Sequence, residues 1–139
     1  MLKKDITYTD YDGNTVTETF YFHLNKAEIA EKEINTEGGY AAMLEQVSKT
    51  KNGAEIMKLF KEFILMSYGI KSEDGKHFRK SEELRRDFEQ SEAYSELFIQ
   101  LCTDANAAAA FISGIFPFTD AQRKEFMDKA TTTALPSET

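Results

Sequence analysis

ITYTDYDGNTVTETFYFHLN, residues 6–25, is the stretch that decides the fold. Two runs within it are rich in β-branched and aromatic residues, which is typical of strands: 6–9 and 16–22. Asp12 and Gly13 lie between these runs, and the pair is a strong hairpin signal because glycine adopts positive φ without steric cost. The stretch therefore predicts a β-hairpin over residues 5–23.

One face of the second predicted strand is suited to burial. Val16, Phe20 and Phe22 share a face with Glu18, since successive side chains in a strand alternate between its two faces. A two-stranded hairpin is only marginally stable alone. We therefore expect the phenylalanine face to pack against helices.

A switch from strand to helix is predicted at Asn25. Asn25 with Glu28 is a capping-box variant, in which each side chain accepts a hydrogen bond from the other residue's backbone N–H. Further along, apolar residues recur at helical spacing, most densely over residues 54–68. Phe60 falls in that run, and we expect this helix to form the centre of the core.

Other helices are marked by capping residues and by periodicity. A helix is predicted over 39–49, another after Ser81, and further short ones after Ser91 or Thr103. A polar turn between apolar residues also predicts a short hairpin within 70–80.

The fold class predicted from these signals is mainly α with an N-terminal β-hairpin (α+β). We expect a compact bundle of about five to seven short helices, the number of helical runs the periodicity allows. Residues 1–130 are expected to form a single domain, with the helical part over 25–130 and a mobile tail at 131–139. The 139-residue length suits one domain.

Composition excludes several broad classes of function. The chain has 17 Lys+Arg against 24 Asp+Glu, a net charge of −7, which would repel a nucleic-acid backbone. The longest apolar run, residues 63–66, is far shorter than a membrane span, and residues 1–10 lack the apolar run expected of a signal peptide. The lone Cys102 can form no internal disulfide. We therefore expect a soluble cytoplasmic protein.

Residues that could carry chemistry all favour structural interpretations. His23 and His77 are far apart in sequence, so they lack the ligand spacing of a zinc site. Cys102 lies in an apolar run and is expected to be a small buried side chain. The Asp-rich run 10–14 lacks the closing glutamate of a calcium-binding EF-hand and is expected to be a turn, while Gly38 and its neighbour lack a phosphate-loop pattern. We predict no catalytic, cofactor or metal site, and no enzymatic activity.

The acidic stretch 82–92 is also expected to be structural. Its acids alternate with Arg85 and Arg86 and follow Lys80, which favours a solvated helix face with surface ion pairs.

AAAAFISGIFPF, residues 107–118, is the segment most open to a functional interpretation. One interpretation is core packing. The other is an apolar edge that receives a partner segment, because Pro117 prevents a continuing helix and favours an extended, accessible chain around it. The candidate partner-binding residues are Phe111, Ile115, Phe116 and Phe118.

The order of three segments resembles a known family. They read TEGGYAAMLEQV at 36–47, FKEFILMSYGIKSEDGKHFRKSEELRRDFEQSEAYSELF at 60–98 and FISGIFP at 111–117. In this order they resemble the tail assembly chaperones of long-tailed bacteriophages that infect Gram-positive hosts. The resemblance covers about residues 6–117.

That resemblance implies a function and a partner. Such chaperones are encoded between the major tail protein and the tape measure protein, and they are thought to coat apolar segments of the tape measure before the tail tube forms. It implies action in the host cytoplasm and absence from the mature virion, and it leaves self-association open. The alternatives are a structural tail or head–tail component of the virion, and a small phage-encoded inhibitor of a host protein.

Overall fold

An antiparallel hairpin begins the chain. In the computed structural model, which describes residues 1–35, 53–116 and 121, strand β1 spans Leu2–Thr9 and strand β2 spans Thr15–Phe22. Leu2 lies opposite Phe22 and Thr9 opposite Thr15. The predicted hairpin is confirmed, and its first strand begins earlier than expected.

Asp10 organises the hairpin turn. Its carboxylate Oδ1 accepts hydrogen bonds from the backbone N–H groups of Asp12 at 3.0 Å and Asn14 at 2.9 Å. Gly13 adopts φ +85°, the left-handed conformation that the sequence predicts for this position. The Asp-rich run is therefore a turn, as expected.

A second, short hairpin extends the same sheet. Strand β3 (Tyr68–Lys71) pairs with β2, strand β4 (Phe78–Arg79) pairs with β3, and the sheet order is β1-β2-β3-β4 with antiparallel neighbours. The short hairpin predicted within 70–80 is confirmed. Gly69 allows the close pairing, because a Cβ there would lie 2.9 Å from the carbonyl oxygen of Arg79.

The described residues form five helices, which are α1 (Lys26–Asn35), α2 (Gly53–Ser67), α3 (Glu82–Glu89), α4 (Glu92–Thr103) and α5 (Ala105–Ile115). The capping box of α1 is confirmed: Asn25 N–H donates to the Glu28 carboxylate at 3.0 Å, and Glu28 N–H donates to Asn25 Oδ1 at 2.8 Å. The helix predicted over 39–49 lies outside the described residues, as do Gly38 with its neighbour and the predicted tail.

Of the N-caps expected after residue 80, Ser81 and Ser91 are confirmed and Thr103 is not. Ser81 Oγ accepts from Leu84 N–H at 3.1 Å, and Ser91 Oγ accepts from Tyr94 N–H at 3.3 Å. The prediction that Thr103 is a cap is wrong, because Thr103 is the last residue of α4 and its hydroxyl donates back to the carbonyl of Ile99. The cap of α5 is the next residue, Asp104.

The core lies between the inner face of the sheet and the helices. Phe22 is fully buried and its ring packs edge-on against Phe88, which in turn stacks on Tyr68 with ring centroids 4.3 Å apart. The outer sheet face is polar, with Thr7 and Thr17 hydrogen-bonded across β1 and β2. The α+β class is confirmed. The expected helical bundle is not confirmed, because α4 packs against strand β1 in addition to helices α2 and α5.

Within the described ranges no single helix is long and apolar enough to span a membrane; only the bent pair α4 and α5 meets the length and composition test together.

Candidate partner-binding site

Helix α5 is the most apolar helix of the described chain, and it carries the predicted binding segment. Asp104 starts it, accepting hydrogen bonds from the N–H groups of Asn106 at 3.0 Å and Ala107 at 3.1 Å. An aspartate in this position satisfies donors that the first helical turn leaves without partners. The alanines that follow favour helix and allow close packing.

The side chains of α5 fit into a surface that we call the α5 seat, formed by Leu2, Phe22, Leu24 and Phe63. Phe111 packs edge-on against Phe22, with ring centroids 5.2 Å apart. Phe116 packs edge-on against Phe63 at 6.1 Å. Aromatic pairs in this geometry add to the stabilisation that burial provides. The seat therefore holds α5 through specific ring contacts with Phe111 and Phe116.

The contact between α5 and strand β1 depends on a glycine. A Cβ atom on Gly114 would lie 2.9 Å from Leu2 Cδ1 and 3.2 Å from Leu2 Cβ. Gly114 is therefore a packing residue inside α5. Leu2 was missed because the predicted strand began later, although it alternates in register with Ile6, which is buried.

Burial corrects one expectation about this segment. Phe116 has the extended backbone predicted beside Pro117, with φ −86° and ψ 143°, but its side chain is only 2% exposed. Phe111 and Ile115 are also buried. The expected accessible presentation is therefore wrong for Phe116, and the burial of all three side chains agrees with the other interpretation, core packing. Phe118 lies outside the described residues, and binding by the four residues stays a prediction.

The corner between β2 and α1 fixes the end of α5. Leu24 N–H donates to the carbonyl of Ile115 at 2.8 Å, and the preceding His23 N–H donates to the carbonyl of Ser67 at 2.8 Å. Two adjacent backbone groups therefore hold the C-terminal ends of α5 and α2 together. Buried backbone donors of this kind are costly to leave unpaired.

Lys80 closes the same corner from β4. Its Nζ donates to the carbonyls of His23 at 2.7 Å and Met66 at 3.0 Å, and to the carboxylate of Glu28 at 2.7 Å. Burial lowers the pKa of the Lys80 ammonium, and the adjacent Glu28 carboxylate opposes that shift. The three acceptors satisfy the three protons of the ammonium.

The expected surface pairing of Lys80 is therefore wrong. Its side chain is only 11% exposed and bonds to Glu28, not to the acids that follow it. Strand alternation from Phe78, which is partly buried, was the signal that could have placed Lys80 inward. Arg85 similarly donates to the carbonyl of Leu65 at 3.1 Å. The acids at Glu82 and Glu83 are exposed, as predicted for a solvated face.

His23 contributes an unusual polar group at this corner. Its Nδ1 is buried without a hydrogen-bond partner in the described part of the chain. Burial lowers the pKa of His23, and the positive charges of the N-terminus and Lys80 act in the same direction. The neutral imidazole is thus the favoured form, and its ring lies edge-on to Phe78.

In the described part of the chain, the contacts around this segment are packing contacts and capping bonds. Cys102 packs against the core as predicted, but it is only partly buried. Burial raises the pKa of its thiol, which disfavours the reactive thiolate. Across residues 1–35 and 53–116, no three His, Cys, Asp or Glu side chains are grouped to hold a metal ion. Three of the exposed apolar side chains, Met57, Ile70 and Ile99, lie on three different elements.

Comparison with known proteins identifies a family. A protein-family model described as a phage tail assembly chaperone matches residues 1–137. No curated protein and no solved structure gives a significant match to the chain.

Proposed function

Because this chain belongs to the phage tail assembly chaperone family, we propose that it binds apolar segments of the tape measure protein during tail morphogenesis. The observation that carries the proposal is the family match over residues 1–137, nearly the whole chain. In this role the chain acts by binding and not by catalysis. It works in the host cytoplasm and is absent from the mature virion.

The binding residues in this proposal are Phe111, Ile115, Phe116 and Phe118. Aromatic anchors that become desolvated supply much of the energy at protein interfaces. The first three are buried in the α5 seat. Binding therefore requires α5 to leave the seat and to pack against an apolar segment of the tape measure protein, the client. The client must then be a segment that presents apolar side chains of comparable size.

Two truncations test this assignment against a purely structural role. Phe116→Ala should lower the melting temperature, because it removes a buried ring that contacts Phe63. Both Phe116→Ala and Phe118→Ala should also weaken binding to tape measure fragments by more than about 1 kcal/mol per folded molecule, measured by calorimetry. Unchanged binding by the folded fraction of both variants would make the segment a core element only.

The same proposal separates a chaperone from a virion component. Quantitative mass spectrometry of purified virions should find the chain absent or far below the amount of the tube protein. A stoichiometric amount in virions would instead support a structural tail role.

A further inference from the structure

A single residue separates the two most apolar helices of the C-terminal half. Helix α4 ends at Thr103, α5 begins at Ala105, and the two helix axes are bent by 114°. Asp104 between them has φ −130° and ψ 103°, an extended conformation. The whole change of direction therefore depends on one pair of dihedral angles.

The backbone on either side of Asp104 already has helical hydrogen bonding. Asp104 N–H donates to the carbonyl of Gln100 at 3.0 Å, and Ala108 N–H donates to the carbonyl of Asp104 at 3.0 Å. Both bonds have the four-residue spacing of an α-helix. Rotation of Asp104 to helical dihedrals would join α4 and α5 into one helix roughly 36 Å long.

The Asp104 carboxylate is the group that favours the bend. In the bent form it accepts from the N–H groups of Asn106 and Ala107. In a straight helix those donors would bond to carbonyls of α4, and the carboxylate would lose both contacts. Aspartate favours caps over helix interiors, whereas the alanines after it favour helix. The side chain of Asp104 and the sequence after it thus favour opposite states.

Straightening would lift α5 out of its seat and leave both surfaces apolar. The surface that matches the empty seat best is another α5, because Phe111, Gly114 and Phe116 already fit Phe22, Leu2 and Phe63. A second copy would also supply the Ile115 carbonyl for Leu24 N–H. Exchange between copies therefore restores every contact of the closed form, and only the hinge differs.

We infer that this chain forms a domain-swapped dimer in which α5 of each copy occupies the α5 seat of the other, with Asp104 as the hinge. The occupant is a second copy of this chain, and no tape measure protein is involved. The inference goes beyond the proposed function, and it is tested with the purified chain alone, independently of tape measure binding.

Two hinge variants should have opposite effects on dimer formation. Asp104→Ala removes the cap and favours the straight helix in both copies, so the dissociation constant of the dimer should fall at least about tenfold. Ala105→Pro suits the first position of a separate helix and requires an extended residue before it, as Asp104 is, but it would break a continuous helix. Ala105→Pro, alone or with Asp104→Ala, should remain monomeric in light scattering after gel filtration.

An engineered disulfide distinguishes a swapped dimer from any other dimer. The Gly114 Cβ position and the Leu2 Cβ are 3.2 Å apart, within a few tenths of an ångström of disulfide spacing. With Cys102→Ser as background, Leu2→Cys with Gly114→Cys should close within one copy in the bent form and between two copies in the swapped form. Non-reducing gels of these chains report which form is present.

The expected result is a covalent dimer that Asp104→Ala increases and Ala105→Pro abolishes. The inference is overturned if Asp104→Ala dimers carry only intramolecular disulfides, or if the double hinge variant dimerises as Asp104→Ala does. If Asp104→Ala impairs folding, the same disulfide experiment is done with Asp104 unchanged and at a higher protein concentration. A covalent dimer that is equally abundant with and without Ala105→Pro would then overturn the inference.

Discussion

Lys80 donates a hydrogen bond to the carboxylate of Glu28 at 2.7 Å across 52 positions of sequence. Glu28 also accepts from Asn25 N–H as part of the α1 cap. One carboxylate thus connects the end of the second hairpin to the start of α1. The corner that receives the Ile115 end of α5 is held by this pair.

Lys80→Met should destabilise the protein by about 1–3 kcal/mol. The substitution keeps an unbranched apolar chain but leaves two backbone carbonyls and a carboxylate without their donor. Urea denaturation measures the loss. The matched control is Lys61→Met, which breaks an ion pair to Glu89 in which the Lys61 side chain is 53% exposed. It should cost less than about 1 kcal/mol. Equal losses in the two variants would contradict the role given to Lys80.

Phe60→Ala should cost about 3–5 kcal/mol, the range for truncation of a buried aromatic side chain. Phe60 is 6% exposed on α2, as the sequence predicted for the central helix. Met57 on the same helix is 48% exposed and serves as the control, with an expected change within about 0.5 kcal/mol for Met57→Ala. Chemical denaturation of both variants checks the difference, and a loss under about 1 kcal/mol for Phe60→Ala would contradict it.

Gly13→Val should lower the melting temperature through backbone strain alone. No atom lies within 4 Å of a Cβ at this position, so steric contact is not the cause. The φ of +85° is strongly disfavoured for a β-branched residue and costs roughly 1–2 kcal/mol. Gly13→Asn should cost less, because asparagine tolerates this region. Coincident melts of the valine variant and the wild type would show that the turn assignment is wrong.

Acid should destabilise the protein partly through His23. Its pKa is lowered in the folded state, chiefly by burial, so the unfolded state binds a proton first as pH falls. The free energy of unfolding should therefore decrease as pH drops through the unfolded-state value of about 6.5. His23→Gln should remove that part of the pH dependence, and His77→Gln, at an exposed position, should retain it. The free energy of unfolding is measured between pH 7.5 and 5, a window of about one unit or more on each side of that value. Parallel pH profiles for wild type and His23→Gln would contradict the assignment.

Local signals in the sequence predicted the elements that depend on neighbouring residues. The Asp12–Gly13 turn and the reciprocal bonds of Asn25 and Glu28 form between residues a few positions apart, so their residue types suffice. The cap of α5 was the exception. Asp104 and Thr103 are both good capping residues, and the structure decides between them: Asp104 accepts from Asn106 and Ala107 N–H, whereas Thr103 donates to the carbonyl of Ile99.

Contacts between distant segments could not be predicted in the same way. Nothing near Lys80 in sequence indicates that His23, Glu28 and Met66 surround it. The burial of Phe116 likewise depends on Phe63, which packs against it from another helix. An apolar segment has the same composition whether it fills a core or receives a partner, so burial had to come from the structure.

Co-expression with the tape measure protein of the same phage is the most direct test of the proposed chaperone role. The tape measure protein should become soluble and should co-purify with this chain, and Phe116→Ala and Phe118→Ala should each reduce the amount recovered per folded chain. A tape measure protein that remains insoluble, while the folded chain elutes alone, would contradict the role.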